Sequence, residues 1–112
     1  MNCETYKVFL FKEFRTDVKA LIKRYQSLRQ EIDDLIVSLA THPRQGTSLG
    51  NGIYKIRLAI KSKGKGKSSG ARVMTFVNIE NTTVTLFFIY NKGDRDTVSD
   101  KELQSLVQKL QL

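Results

Sequence analysis

Cysteine, histidine and tryptophan are scarce in this chain of 112 residues, which has one cysteine, one histidine and no tryptophan. The lone cysteine, Cys3, excludes an internal disulfide and a Cys-x-x-Cys metal motif. One histidine and one cysteine cannot build a His/Cys zinc site, and no paired carboxylates fall on an obvious common face. We therefore expect no metal and no cofactor. The histidine, His42, precedes Pro43 at a predicted helix end and is interpreted as a capping or solvated side chain.

Long apolar runs are also missing. No stretch approaches the roughly 20 apolar residues that a membrane span needs. The first residues, Met1 to Tyr6, lack the basic-then-apolar order of a signal peptide. We therefore expect a cytoplasmic protein that does not contact membranes. Because a chain of this length holds only one sizeable hydrophobic core, residues 1–112 are expected to form a single domain.

Acidic residues are absent from the middle of the chain, between Leu35 and Ile79. Eight basic residues fall in this interval, which we call the basic segment: Arg44, Lys55, Arg57, Lys61, Lys63, Lys65, Lys67 and Arg72. The other 11 of the 19 basic residues equal the 11 acidic ones in number, so the net charge of +8 belongs to the basic segment. Such a charge favours anionic partners.

The first half of the chain predicts a strand followed by helices. The run Lys7–Phe11 is β-branched and aromatic, as in a strand that enters a core. Apolar residues then recur at helical spacing in two sets: Phe14, Val18, Leu21, Ile22 and Tyr25, then Leu28, Ile32, Leu35, Ile36 and Leu39. Ser27 and Gln30 have the spacing of a capping box, which favours a helical hairpin. One long helix from about Phe14 to Ala40 is the alternative, since no Gly or Pro forces a break.

The second half predicts three strands and a final helix. From Tyr54 to Lys61, apolar and basic residues alternate with a period of two, which predicts a strand with one cationic face. Runs at Ala71–Ile79 and Val84–Tyr90 complete an antiparallel meander. Ser99 and Glu102 form a second capping box, before an amphipathic helix. The predicted class is α+β in the order β-α-α-β-β-β-α, with the N-terminal strand and helical hairpin packed on an antiparallel sheet.

The cationic strand face is the main functional signal. Side chains from three strands are expected to gather on it: Lys55, Arg57, Lys61, Arg72, Tyr90 and Lys92. Neighbouring strands lie about 4.8 Å apart, so these groups would span a few nucleotides and grip phosphates. The lysine-glycine tract that follows adds Lys63, Lys65 and Lys67. A merely solvated face is the alternative, although such a face normally mixes charges of both signs.

Three stretches of the sequence closely resemble the HigB-like branch of the RelE/ParE toxins. They are GNGIYKIRL at 50–58, KGKGKSSGARV at 63–73, and IYNKGD at 89–94 followed by a capped helix. The resemblance covers nearly the whole chain. It implies a RelE-like fold and a toxin of a type II toxin-antitoxin system, with a cognate antitoxin as partner. It further implies that the protein enters the ribosome, cleaves mRNA by attack of a ribose 2′-hydroxyl without a metal ion, and so inhibits translation.

The resemblance also implies roles for individual residues. Arg57 and Arg72 match the strand arginines of the family and are expected to clamp phosphate with their bidentate fork. Tyr90 and Lys92 stand where the family often keeps catalytic groups, so the expected catalytic set is Arg57, Arg72, Tyr90 and Lys92. The expected RNA-binding set is Lys55, Lys61, Lys63, Lys65 and Lys67. One lysine of the loop is a candidate general base, without a preference among them.

The chain departs from some members of the family, which place a histidine near the end of the last strand, because residues 89–94 contain none. Two other functions therefore stay open. The same fold occurs in gyrase-inhibiting ParE-like toxins that make no such cut, and fold alone does not decide function. A non-catalytic basic module that binds nucleic acid is the third possibility.

Overall fold

The computed structural model describes residues 5–63, 69–95 and 97–110. These residues form a five-stranded sheet and three α-helices. The strands are β1 (Lys7–Leu10), β2 (Thr47–Gly50), β3 (Ile53–Leu58), β4 (Ala71–Asn78) and β5 (Thr83–Asn91). The helices are α1 (Lys12–Arg24), α2 (Leu28–Thr41) and α3 (Asp100–Leu110). The α+β class is confirmed, and no helix in the described ranges is long and apolar enough to cross a membrane.

The sheet has the strand order β1-β5-β4-β3-β2. Strands β3, β4 and β5 form the predicted antiparallel meander. Strand β1 pairs with β5 in parallel, with Lys7 opposite Thr83 and Leu10 opposite Leu86. A parallel pair needs a long crossover connection. Here α1 and α2 lie in that connection, and they cover one face of the sheet, which we call the hairpin face.

The structure contains one strand that the predicted order lacks. Strand β2 pairs antiparallel with β3, and the two are joined through Asn51 and Gly52. Both of these residues have positive φ, 54° and 82°. Asn-Gly is the preferred pair for such a tight hairpin, because asparagine and glycine adopt this backbone most readily. The corrected order is β-α-α-β-β-β-β-α.

The helical hairpin is confirmed over the single long helix. Helix α1 ends at Arg24 and α2 begins at Leu28. The capping box expected at Ser27 and Gln30 is wrong, since Ser27 has a helical backbone and makes no side-chain cap bond. Its hydroxyl instead accepts the N–H of Ser62 at 2.9 Å and donates toward Glu31 at 3.2 Å. The loop that follows β3 therefore competes with the helix end for this hydroxyl.

The main core lies between the helical hairpin and the sheet. Phe14, Leu28, Leu39, Val73, Val84 and Leu86 are among its most completely buried side chains. Each such side chain stabilises the fold by about 1.5–3 kcal/mol through burial. A smaller cluster on the opposite face, the α3 face, joins Ile53, Met74 and Phe87 to half-buried leucines of α3. Because α3 has no fully buried residue, it covers this face only partly.

The strand predicted from Tyr54 to Lys61 is too long. Strand β3 ends at Leu58, and Lys61–Lys63 form a short 3₁₀ turn. The chain leaves the sheet after Leu58, although Ile60, the last apolar residue of the alternation, is still buried in the main core at 1% exposed. Gly70 marks the same departure, since a Cβ there would collide with the backbone oxygen of Leu58. Lys61 therefore does not share the sheet face of Lys55 and Arg57.

Helix α3 begins with part of the predicted capping box. The Ser99 hydroxyl accepts the backbone N–H of Glu102 at 3.1 Å, as such a box requires. The Glu102 carboxylate, however, binds Arg95 at 2.6 and 3.1 Å. The side chain expected to close the box thus ties α3 to the segment that follows β5.

Candidate functional site

Three of the expected catalytic side chains form one row across the sheet. Arg57 of β3 stands opposite Arg72 of β4, and Arg72 stands opposite Tyr90 of β5. Residues directly opposite each other in an antiparallel ladder point to the same face. The next pair in the ladder, Ile56 and Val73, points to the hairpin face and belongs to the main core. Because successive residues of a strand point to opposite faces, the row lies on the α3 face.

The members of this row differ in exposure. Arg57 is exposed, whereas Arg72 is 4% and Tyr90 is 5% exposed. The Arg72 guanidinium donates a long hydrogen bond of 3.3 Å to the backbone oxygen of Ala71. A buried guanidinium is held in a fixed position by its surroundings, since leaving it without partners would be costly. Arg57 is thus the member of the row that an incoming ligand can reach first.

Arg95 covers Tyr90. Its guanidinium lies 5.6 Å from the centre of the Tyr90 ring and 5.7 Å from that of Phe88, within cation–π range. The bidentate bond to Glu102 holds it there, and its Nε also donates to the backbone oxygen of Thr97 at 3.2 Å. The hydrogen bond from Arg95 lowers the pKa of Glu102 below its usual range. The sequence does not indicate that Arg95 lies over Tyr90, because residues 92–99 have no regular spacing of apolar residues.

Lys55 lies on the same face, two residues before Arg57 along β3. It stands opposite Met74, which in turn stands opposite Phe88. Lys55 and Tyr90 both line a hollow of about 250 Å³ between β2 and the start of α3. Half-buried and cationic, Lys55 can contact a phosphate that lies over the row.

Lys61 lies in a different groove, of about 330 Å³, between α2 and the edge of the sheet. Arg57 also lines this groove, but it does not line the hollow shared by Lys55 and Tyr90. Glu31 and Asp34 of α2 line it too, and Glu31 accepts the backbone N–H of Lys61 at 2.7 Å. The basic segment is free of acids in sequence, but the fold brings carboxylates to its side.

The Lys63 ammonium is engaged in a polar network at the end of β5. It donates to the side-chain oxygen of Asn91 at 2.8 Å and to the backbone oxygen of Ser69 at 2.5 Å. Asn91 is 2% exposed and donates to the Tyr25 hydroxyl at 3.2 Å. Arg24 bonds the same hydroxyl at 3.1 Å and pairs with Asp94 at 2.7 Å. These contacts place Lys63 beside the end of α1, away from the row.

The remaining expected residues are not part of the row as described. Lys92 follows β5 and is half-buried, and its backbone N–H donates to Gly70 at 3.0 Å. Lys65 and Lys67 lie outside the described residues. In the described ranges, no group of three or more histidine, cysteine or acidic side chains is arranged to hold a metal ion.

The fold and this site define a small basic α+β protein with a guanidinium-rich sheet face that suits an anionic chain. The family model of the RelE toxin of the RelE/RelB toxin-antitoxin system matches residues 6–110. Among solved structures, the chain is similar to a double arginine-to-alanine variant of the E. coli toxin RelE in the free state. The TM-score is 0.64 at 17% identity, over 95% of this chain and 98% of that one. No curated protein sequence matches the chain.

The chain belongs to the RelE toxin family, since the family model spans most of it. It is therefore a toxin of a toxin-antitoxin system, and an antitoxin is its implied partner. The predicted RelE-like fold is confirmed by the structural similarity. The finer assignment to the HigB-like branch stays a prediction.

Proposed function

We propose that the protein is an endoribonuclease that cuts mRNA on the ribosome in the cytoplasm and so inhibits translation. The observation that carries this proposal is the cross-strand row Arg57–Arg72–Tyr90 on the α3 face. Two guanidinium groups and a phenol in one row supply the donors that a phosphate in transit to a phosphorane needs.

The proposed reaction needs only the RNA and protein side chains. The ribose 2′-oxygen bonds to the adjacent phosphorus while the bond from phosphorus to the 5′-oxygen breaks. A base takes the 2′-hydroxyl proton, and an acid gives a proton to the leaving 5′-oxygen. The products are a cyclic 2′,3′-phosphate and a free 5′-hydroxyl.

Arg57 and Arg72 are assigned to phosphate clamping, with Lys55 and Lys61 as RNA contacts. Tyr90 is assigned to proton exchange or to stacking on an RNA base. Lys92, just after the end of β5, is assigned to the same catalytic set. Of the two described loop lysines, Lys61 and Lys63, Lys63 is the weaker candidate for the general base, because its ammonium already donates to two oxygens. Since Arg95 lies over Tyr90, the proposal requires Arg95 to move aside when RNA binds.

The direct test is single-turnover cleavage of mRNA on purified ribosomes with an empty A site. We expect wild-type protein to give cuts in the A-site codon, with cyclic phosphate ends, and Arg57→Ala to cut at least about 100-fold more slowly. Arg44→Ala is the matched control, because Arg44 is also an exposed arginine of the basic segment but lies in the loop after α2. Intact mRNA with wild-type protein would overturn the proposal, and DNA-damage signalling on induction would then favour gyrase inhibition.

A further inference from the structure

Helix α1 carries a cationic stripe on the side opposite the sheet. The stripe consists of Lys12, Arg15, Lys19 and Lys23, all of them exposed. Positions separated by three, four or seven residues share one side of a helix. The buried residues Phe14, Val18 and Leu21 occupy the other side of α1 and pack on the hairpin face. The stripe and the Arg57 row therefore lie on opposite sides of the sheet.

This stripe is unfavourable for the helix itself. Lys12 and Arg15, Arg15 and Lys19, and Lys19 and Lys23 are like-charged pairs at spacings of three or four, which destabilise a helix by about 0.2–0.5 kcal/mol each. No acidic residue stands three or four positions from any member. The helix's own acids, Glu13 and Asp17, lie along another side, in line with Ala20 and Arg24.

The four stripe residues differ from the basic residues that hold the fold together. Arg24 pairs with Asp94, Arg95 pairs with Glu102, and Lys63 binds Asn91. Within the described ranges, the side chains of Lys12, Arg15, Lys19 and Lys23 make no ion pair or hydrogen bond, and only the backbone oxygen of Lys12 accepts a side-chain donor, the Thr16 hydroxyl at 3.3 Å. Basic and acidic residues outside the basic segment are equal in number, and some of them pair with each other, but the stripe side chains have no acidic partner in the described ranges.

The composition of the stripe indicates the chemistry of its partner. A protein interface normally has an apolar or aromatic centre and few lysines. A helix that lies on a membrane presents large apolar residues beside its cations. The large hydrophobic side chains that the described surface exposes, Phe9, Val37, Leu49 and Ile79, all lie outside α1. Lysines without apolar neighbours suit a phosphate backbone, where binding is driven by counterion release.

We propose that the α1 stripe docks on the phosphate backbone of structured ribosomal RNA while the opposite sheet face holds the mRNA. This inference rests on the proposed function, because it takes the ribosome as the site of action. It adds a second RNA contact, made by a different element and on the other side of the sheet. Neighbouring cations on the stripe are about 5–6 Å apart at their Cβ atoms, close enough to meet successive phosphates.

The test compares two variants of equal charge. The stripe variant combines Lys12→Gln, Lys19→Gln and Lys23→Gln, and glutamine retains helix propensity. The control variant combines Lys7→Gln, Lys101→Gln and Lys109→Gln, which are exposed lysines of β1 and α3. Binding to purified 70S ribosomes is measured over a range of salt concentrations. The mRNA carries 2′-deoxynucleotides in an empty A site, so that it is not cut.

We expect the stripe variant to bind roughly 10-fold more weakly at physiological salt, with the control variant within about twofold of wild type. The slope of log affinity against log salt should fall by about 2–3 in the stripe variant, at about 0.7–0.9 for each lost phosphate contact. On cleavable mRNA, the ribosome concentration for half-maximal rate should rise, while the rate at saturation stays unchanged. The Arg57→Ala change should instead lower the cleavage rate at saturation and leave the ribosome concentration for half-maximal rate unchanged.

Three results would overturn the inference. The first is that both variants bind ribosomes equally weakly, and the second is that the stripe variant binds them as well as wild type does. The third is that the stripe variant keeps ribosome binding but loses affinity for polyglutamate, which mimics an acidic protein segment. If wild-type protein cuts mRNA and the stripe variant binds ribosomes normally, only this inference fails. If the stripe variant alone loses ribosome binding but wild-type protein leaves cleavable mRNA intact, the proposed function fails and the docking surface stands.

Discussion

The two faces of the central sheet have different roles. The hairpin face is covered by α1 and α2 and packs apolar side chains such as Phe14 and Leu86 at full burial. The α3 face is covered by a helix without a fully buried residue, and it carries Arg57, Arg72 and Tyr90. Stability is concentrated on one face, and polar groups suited to a ligand are concentrated on the other. Mutations should therefore separate the two properties.

The largest effect is expected on the hairpin face. Phe14→Ala should lower the free energy of unfolding by about 3–5 kcal/mol, because it leaves a large cavity in the main core. Phe9→Ala is the matched control, since Phe9 is 52% exposed on β1, and it should cost well under about 1 kcal/mol. Urea denaturation measures both. Equal costs for the two changes would contradict the assignment of the core.

The second effect is expected on the α3 face and should appear in activity. Arg57→Ala should lower cleavage at least about 100-fold, as loss of a transition-state donor does. Its free energy of unfolding should change by less than about 0.5 kcal/mol, because the side chain is exposed. Arg57→Lys keeps the charge but loses the bidentate fork, so it should restore only part of the rate. Full activity in Arg57→Ala would remove the row from the mechanism.

A third change tests the polar network that lies between the two faces at the end of β5. Asn91→Ala should lower the free energy of unfolding by about 1–3 kcal/mol, because it leaves the Lys63 ammonium and the Tyr25 hydroxyl short of partners. Chemical denaturation measures this, with the exposed Asn81→Ala as control. A neutral result would show that the network adds nothing to stability.

The smallest effect is expected from Glu102→Gln. The salt bridge between Glu102 and Arg95 is partly exposed, so its loss should change the free energy of unfolding by less than about 1 kcal/mol. Arg95 should then leave the Tyr90 ring, which NMR shifts of that ring would report. Because Arg95 lowers the pKa of Glu102, the wild-type pair should hold at neutral pH and open only as the pH falls through that lowered value. A ring signal that is the same in both proteins at pH 7 would contradict the role of Glu102.

The sequence predicts much of this architecture because long periodic segments dominate it. Helices α1, α2 and α3 and the meander have apolar residues at regular spacing, and burial enforces those patterns. Strand β2 is missed because Thr47–Gly50 is short and exposed throughout, and so has no apolar alternation. The Asn51–Gly52 pair after it is the one local hairpin signal in this stretch, and it does not by itself show that the residues before it form a strand.

The candidate site is predicted less completely, for a physical reason. Arg57, Arg72 and Tyr90 share a face because strand pairing preserves the alternation of side chains. Lys61 and Lys63 leave that face because β3 ends at Leu58 and a 3₁₀ turn follows at Lys61–Lys63, while the apolar alternation continues to Ile60 and so does not mark the strand end. Arg95 and Glu102 meet across an irregular segment, so their pairing depends on where α3 packs. Acid-free sequence likewise does not mean acid-free surroundings, as Glu31 beside Lys61 shows.

The central claim is that the Arg57 row acts on mRNA during translation. Primer-extension mapping of cellular transcripts after brief induction tests it most directly, with wild-type, Arg57→Ala and Arg44→Ala proteins compared at equal abundance. We expect new 5′ ends within translated frames for the wild-type and Arg44→Ala proteins, and none for Arg57→Ala. Growth arrest by the wild-type protein with every transcript intact would contradict the claim.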